Sequence, residues 1–155
     1  MTSAPIAQQR LLIDLQDLDS HLARLRHERK HLPVLTRIEA VIERLKANKR
    51  AVIRAEAALD EAKKQATRSE DEVGQVARRA EVLRERLHSG SSAARDLSAI
   101  QGEIDQLGQR QSALEEAQIV AMEALDSARQ EAERLSQEES EIRAAGRELT
   151  AKRDA

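Results

Sequence analysis

Every seventh residue from Ile38 is apolar: Ile38, Leu45, Val52, Leu59, Ala66, Val73, Ala80 and Leu87. The same holds from Ile100, through Leu107, Leu114, Ala121, Ala128, Leu135 and Ile142 to Leu149. With 40% of residues apolar overall, composition alone does not produce two unbroken series of eight. A strict seven-residue repeat keeps one stripe against a partner only when helices supercoil around each other. The chain is therefore all-α and coiled-coil. Each series has a more polar companion at seam spacing: Val41, Asn48, Ala55, Ala62, Ser69, Val76 and Leu83, then Leu97, Ile104, Gln111, Gln118, Leu125, Ala132, Glu139 and Gly146. Polar seam residues weaken a coiled coil while pinning its register. Gln111, Gln118 and Glu139 read better as such pins than as a partner surface.

The two series meet at "RLHSGSSAARDLSAI", residues 86–100. Gly90 suits the left-handed position that closes a helix, and Ser91 or Ser92 can cap the next one. Asp96 places negative charge near that helix's positive end. So short a break between long helices makes them antiparallel neighbours. Residues 89–92 are thus a hairpin tip, and the register follows. Leu87 pairs with Leu97, Leu83 with Ile100, Ala80 with Ile104 and Val76 with Leu107, each pair of numbers summing to 184 or 183. The same constant pairs Leu59 with Leu125, Val52 with Ala132 and Val41 with Ile142. Charge agrees, because the basic block from Arg24 to Arg54 falls opposite an acid-rich stretch near 129–149.

Upstream lies a third stripe, in which Leu11, Leu15, Leu18, Leu22 and Leu25 alternate spacings of four and three. Pro33 follows, and proline removes a helical donor and disfavours helix at the residue before it. The expectation is an N-terminal leucine-rich helix over residues 1–32, kinked at Pro33, then the antiparallel coiled-coil hairpin over 33–155. The register constant would pair Leu11 beyond residue 155, so the stripe has no partner within the hairpin. It must fold back on the hairpin base, self-associate as a homodimer, or be met by sequence outside these 155 residues.

Composition removes most other functions. The 155 residues include no Phe, Trp, Tyr or Cys, and 35% are charged. Disulfides and thiolate metal sites are excluded. No apolar run approaches the roughly 20 residues that span a bilayer, and "MTSAPIAQQR" has neither the basic nor the apolar region of a secretion signal. A cytoplasmic location is expected. No GxxxxGK[ST], HExxH or GxSxG motif occurs, and adjacent carboxylates such as Glu115/Glu116 and Glu138/Glu139 sit on exposed helix without a pocket. No enzyme activity is expected. His21, His27 and His31 lie close together, but the further ligands of a closed metal site are missing, so no cofactor is expected in this chain. Arg44, Lys46, Lys49, Arg50 and Arg54 could grip phosphates, which makes nucleic acid the alternative ligand; no aromatic is present to stack on bases. The favoured reading is a non-enzymatic interaction or scaffold module. Its candidate contact residues are Leu11, Leu15, Leu18, Leu22 and Leu25 on the stripe and Ser89, Gly90, Ser91 and Ser92 at the tip. A purely structural dimerisation rod is the third possibility.

Two segments also resemble a bacterial family in which a coiled-coil hairpin precedes a four-cysteine zinc ribbon. They are "LLIDLQDLDSHLARLRHERKHLP", with its leucine helix ending in an LP step, and the run through the tip. In the latter, Leu97, Ile100, Gln101, Glu103, Ile104 and Leu107 follow the tip, and Arg110, Gln111, Leu114, Glu115 and Glu116 complete the pattern. The resemblance implies a cytoplasmic regulator whose hairpin docks proteins, an alternative sigma factor or flagellar parts in some relatives, and whose zinc ribbon contacts RNA or DNA. The family's CxxC pairs lie after the hairpin. This chain has no cysteine, so either it belongs to a longer protein or the ribbon has been lost, and no ribbon residue carries over.

Overall fold

The computed structural model describes residues 5–90 and 93–155. Two α-helices hold nearly all of them, α1 over Ile6–His88 and α2 over Ala94–Asp154. They pack against each other as a helical hairpin. Both are built largely from Ala, Leu, Glu, Arg and Gln, which lose little side-chain freedom in a helix. Helices in water draw most of their stability from a buried stripe, and here the stripe is the seam. All sixteen positions of the two apolar series are buried or half-buried. So is every companion position, including the polar ones: Asn48 and Ser69 are buried, and Gln111, Gln118 and Glu139 are half-buried.

Pro33 does not interrupt α1, which runs through it unbroken. The expected boundary between residues 32 and 33 therefore does not coincide with a break in the helix. Proline deprives only the Arg29 carbonyl of its helical donor, and both residues are exposed, so water can replace the lost N–H. One turn on, the Thr36 hydroxyl donates to the Leu32 carbonyl at 3.1 Å. A change does occur nearby, in burial. Residues 6–30 are exposed throughout, and half-burial begins at His31 and Val34.

The chain forms two compact units, and their boundaries lie elsewhere, at Lys49/Arg50 and Gln137/Glu138. The first, Met1–Lys49 with Glu138–Ala155, is centred on Ile142, which is 1% exposed. There the helices approach so closely that a Cβ added at Gly146 would stand 3.3 Å from Val41 Cγ1. Gly146 lies one turn beyond Ile142, the partner the register constant assigns to Val41. The second unit, Arg50–Gln137, holds a core of Leu83, Ile100 and Ile104 with Leu87 and Leu107 packed on it. These are residues the register pairs around the tip. Arg79 bridges to Glu103 across the helices at 3.1 Å.

At the tip, the Ser89 amide donates to the Glu85 carbonyl and its hydroxyl to the Arg86 carbonyl. Gly90 takes φ of +66°, the left-handed C′ conformation that glycine adopts without strain. Ser91 and Ser92 lie outside the described residues. Helix α2 starts at Ala94, and the Ala93 carbonyl accepts from the Asp96 and Leu97 amides at 2.9 and 3.0 Å.

Candidate interaction surface

The N-terminal turns of α1 carry a row of uncovered leucines. Leu11, Leu15, Leu18, Leu22 and Leu25 are between 42% and 67% exposed, and Leu32, which continues their spacing, is 60% exposed. Fold-back on the hairpin base is thus not what the structure shows. Residues 6–30 are exposed on every face of α1, and the stripe is in addition turned away from the seam. Stepping the hairpin seam back by sevens from Ile38 and Val41 lands on His31, Arg24 and Asp17, and on Val34, His27 and Ser20. The leucines sit one and two residues further along, about 100° and 200° round a helix of 3.6 residues per turn. The stripe therefore faces largely away from the side on which α1 meets α2. Leu12, Ile13 and Leu35 are also exposed beside it. The helix that carries the stripe is charged in blocks, with Asp14, Asp17 and Asp19 in the first half and Arg24, Arg26, Arg29 and Lys30, beside Glu28, in the second.

An apolar groove opens in the same unit where α2 ends, between Ile38, Val41, Ile42 and Leu45 of α1 and Ile142, Gly146 and Thr150 of α2. Arg143, Arg147 and Arg153 rim it, although Arg143 is tied to Glu139 at 2.9 Å and Arg153 to Asp154 at 3.0 Å. Of the tip residues, Ser89 and Gly90 are exposed.

The basic candidates for nucleic acid are exposed as well, with Arg44, Lys46 and Lys49 in the first unit and Arg50 and Arg54 in the second. Lys46 already pairs with Glu43 at 3.3 Å. Arg44 and Lys46, two residues apart, do not share a helix face. The stretches at 24–54 and 129–149 show a local use of charge: Lys46–Glu43, Arg134–Glu131 and Arg143–Glu139 are all pairs within one helix. The Arg134 guanidinium, hydrogen-bonded to Glu131, holds that carboxyl below its ordinary range.

The His27 and His31 rings lie with centroids 4.1 Å apart, tilted by 52°. Among the described residues no group of three or more His, Cys, Asp or Glu is placed to hold a metal ion. With no cysteine in the chain, the residues present do not fit a four-cysteine zinc centre. No described helix is long and apolar enough to cross a membrane.

The chain is 37% identical over 122 residues to each of two curated proteins of Mycobacterium tuberculosis, uncharacterized protein MT2288 of strain CDC 1551 / Oshkosh and uncharacterized protein Rv2229c of strain H37Rv. The shared region is 77% of this chain and 49% of either relative, so the chain spans about half the length of the curated relatives it matches. No solved structure matches it. The family model of CT398-like coiled coil hairpin domains matches residues 15–155, which takes in both helices, the tip and most of the leucine stripe. An all-helical coiled-coil hairpin family is not a typical enzyme scaffold. By fold, register and family match together, the chain belongs to the CT398-like coiled coil hairpin domain family.

Proposed function

We propose that this chain is the non-enzymatic interaction arm of a longer cytoplasmic regulatory protein, and that the leucine stripe of α1 is its principal docking surface for protein. The observation that carries this reading is the row Leu11, Leu15, Leu18, Leu22, Leu25 and Leu32, exposed on an otherwise well-formed helix. A contiguous apolar patch of this kind marks an interaction site in a soluble chain. The exposed tip at Ser89 and Gly90 offers a second, smaller contact. The role of a zinc ribbon, placed by the resemblance outside these residues, belongs to the same proposal.

The test is the double variant Leu15→Asp/Leu22→Asp in the full-length protein. The expected result is loss of protein association with unchanged helicity and unchanged thermal unfolding of the hairpin. Association that survives the double variant would overturn the reading. So would binding of RNA or DNA that falls steeply with salt and is abolished by replacing Arg44, Lys46, Lys49, Arg50 and Arg54, because phosphate contacts release counterions. Zinc bound by the full-length protein, measured per chain, tests the ribbon.

A further inference from the structure

Resting on that reading of the stripe, we infer that its occupant is a second copy of this chain, packed antiparallel in one particular register. In heptad terms Leu11, Leu18, Leu25 and Leu32 share one seam position, while Leu15 and Leu22, with Arg29 and Thr36, share the other. The flanking positions are then Leu12, Asp19, Arg26 and Pro33 on one side and Asp14, His21, Glu28 and Leu35 on the other. Such flanks select orientation and partner.

A parallel pair sets Asp14 against Asp19 of the other copy, and His21 against Arg26. An antiparallel pair with Leu18 opposite Leu22 sets Asp19 against its own mate and Asp14 against Glu28. A shift that brings Leu22 opposite Leu32 sets Arg26 on Arg26 and Glu28 on Glu28. A further antiparallel option, Leu15 opposite Leu18, leaves Leu25 and Leu32 outside the pairing. One antiparallel register remains, with Leu22 opposite Leu25 and Leu15 opposite Leu32. It places Asp19 against Arg26 and His21 against Glu28, each twice by symmetry, and brings Leu12 to Pro33 and Asp14 to Leu35. Leu18 packs on the aliphatic stem of Arg29, whose charged head can reach water. Leu11 meets Thr36.

The fold permits this pairing. The stripe faces largely away from α2, and residues 6–30 make no use of it within the chain, being exposed throughout. Covering a half-exposed leucine removes on the order of 100 Å². Twelve leucines then give about 1,200 Å², above the roughly 1,000 Å² a specific interface needs.

The experiment uses the whole chain. Its mass in solution by sedimentation equilibrium is expected to be twice 17.3 kDa. Asp19→Arg and Arg26→Asp singly should each weaken the dimer by a factor of ten or so, since each creates two like-charge contacts. The double charge swap should restore it. The chain lacks cysteine, so Asp19→Cys and Arg26→Cys chains can be mixed and oxidised without background. A disulfide should form between the two variants and not within either alone. A monomeric chain, a double swap that does not rescue, or a Leu22→Cys chain that crosslinks to itself as readily as the mixed pair would each overturn the proposal. A monomer whose association with another protein is still lost in Leu15→Asp/Leu22→Asp would leave the docking stripe standing and remove only the second copy. No effect of the double variant on any association would remove both.

Discussion

Gly90 and Gly146 show how differently one residue type is constrained. Gly90 is held by its own backbone, at φ +66° with open space around it. Gly90→Ala should therefore destabilise the hairpin by about 1 kcal/mol through conformation alone, read as a lower urea midpoint with unchanged m-value. Gly146 is held by its neighbour, because Val41 Cγ1 leaves a Cβ only 3.3 Å. Gly108, with nothing near, is the control: Gly108→Ala should stabilise by up to ~1 kcal/mol through helix propensity. Gly146→Ala should gain clearly less, and recover the gain when Val41→Ala is added. Additivity between Val41 and Gly146 in that cycle would contradict the close approach. At Glu131 the sign of a pH effect is set. Its carboxyl is held below the ordinary range by Arg134, so the small stabilisation from this pair is present above that range. It is lost as pH falls through the lowered value.

The two seams were legible at the level of single positions, since all the apolar series and their companions are buried or half-buried. A seven-residue period is a direct projection of which side of a helix meets a partner, and in a two-stranded coil little else competes to decide burial. That α1 continues through Pro33 was not legible, for the complementary reason. The proline rule weighs one local hydrogen bond and one ring contact, whereas an 83-residue helix can absorb that loss at an exposed turn. Pro33→Ala should accordingly stabilise the helix around residues 29–36, by at most ~3 kcal/mol. Slower amide hydrogen exchange confined to that stretch would show it, and no change would mean the turn is already fully compensated. The leucine stripe was legible from its alternating spacings of four and three. Its facing direction was not, because it depends on α1 continuing through Pro33. The tip was legible in Gly90, while Ser91 and Ser92 fall outside the described residues. Asn48 and Ser69 are buried polar seam residues. Asn48→Leu should raise thermal stability while loosening register specificity.

Within each unit the core is the seam between two helices, so core substitutions act there. Leu83 and Ile142 are both 1% exposed, and Leu83→Ala or Ile142→Ala should each lower stability by roughly 2–5 kcal/mol, measured by urea unfolding of the whole chain. The N-terminal turns should respond differently. Leu15→Asp, in a stretch that is exposed throughout among the described residues, should leave the monomer's unfolding unchanged and act on association alone.

Because paired residue numbers sum to a near-constant, the stretch of chain enclosed lengthens by seven residues from one seam pair to the next, as from Leu87–Leu97 to Leu83–Ile100. The first contacts to form close short loops, and each later one extends a structure already begun, which keeps the entropy of closure small at every stage. Leu83, Ile100 and Ile104 form their core beside the turn, where such a zipper would start, whereas Ile142 is laid down late. Leu83→Ala should therefore slow refolding, and Ile142→Ala should chiefly hasten unfolding. The hairpin turn is then also a kinetic origin, and a nascent chain cannot begin to close until the residues just beyond Gly90 have emerged.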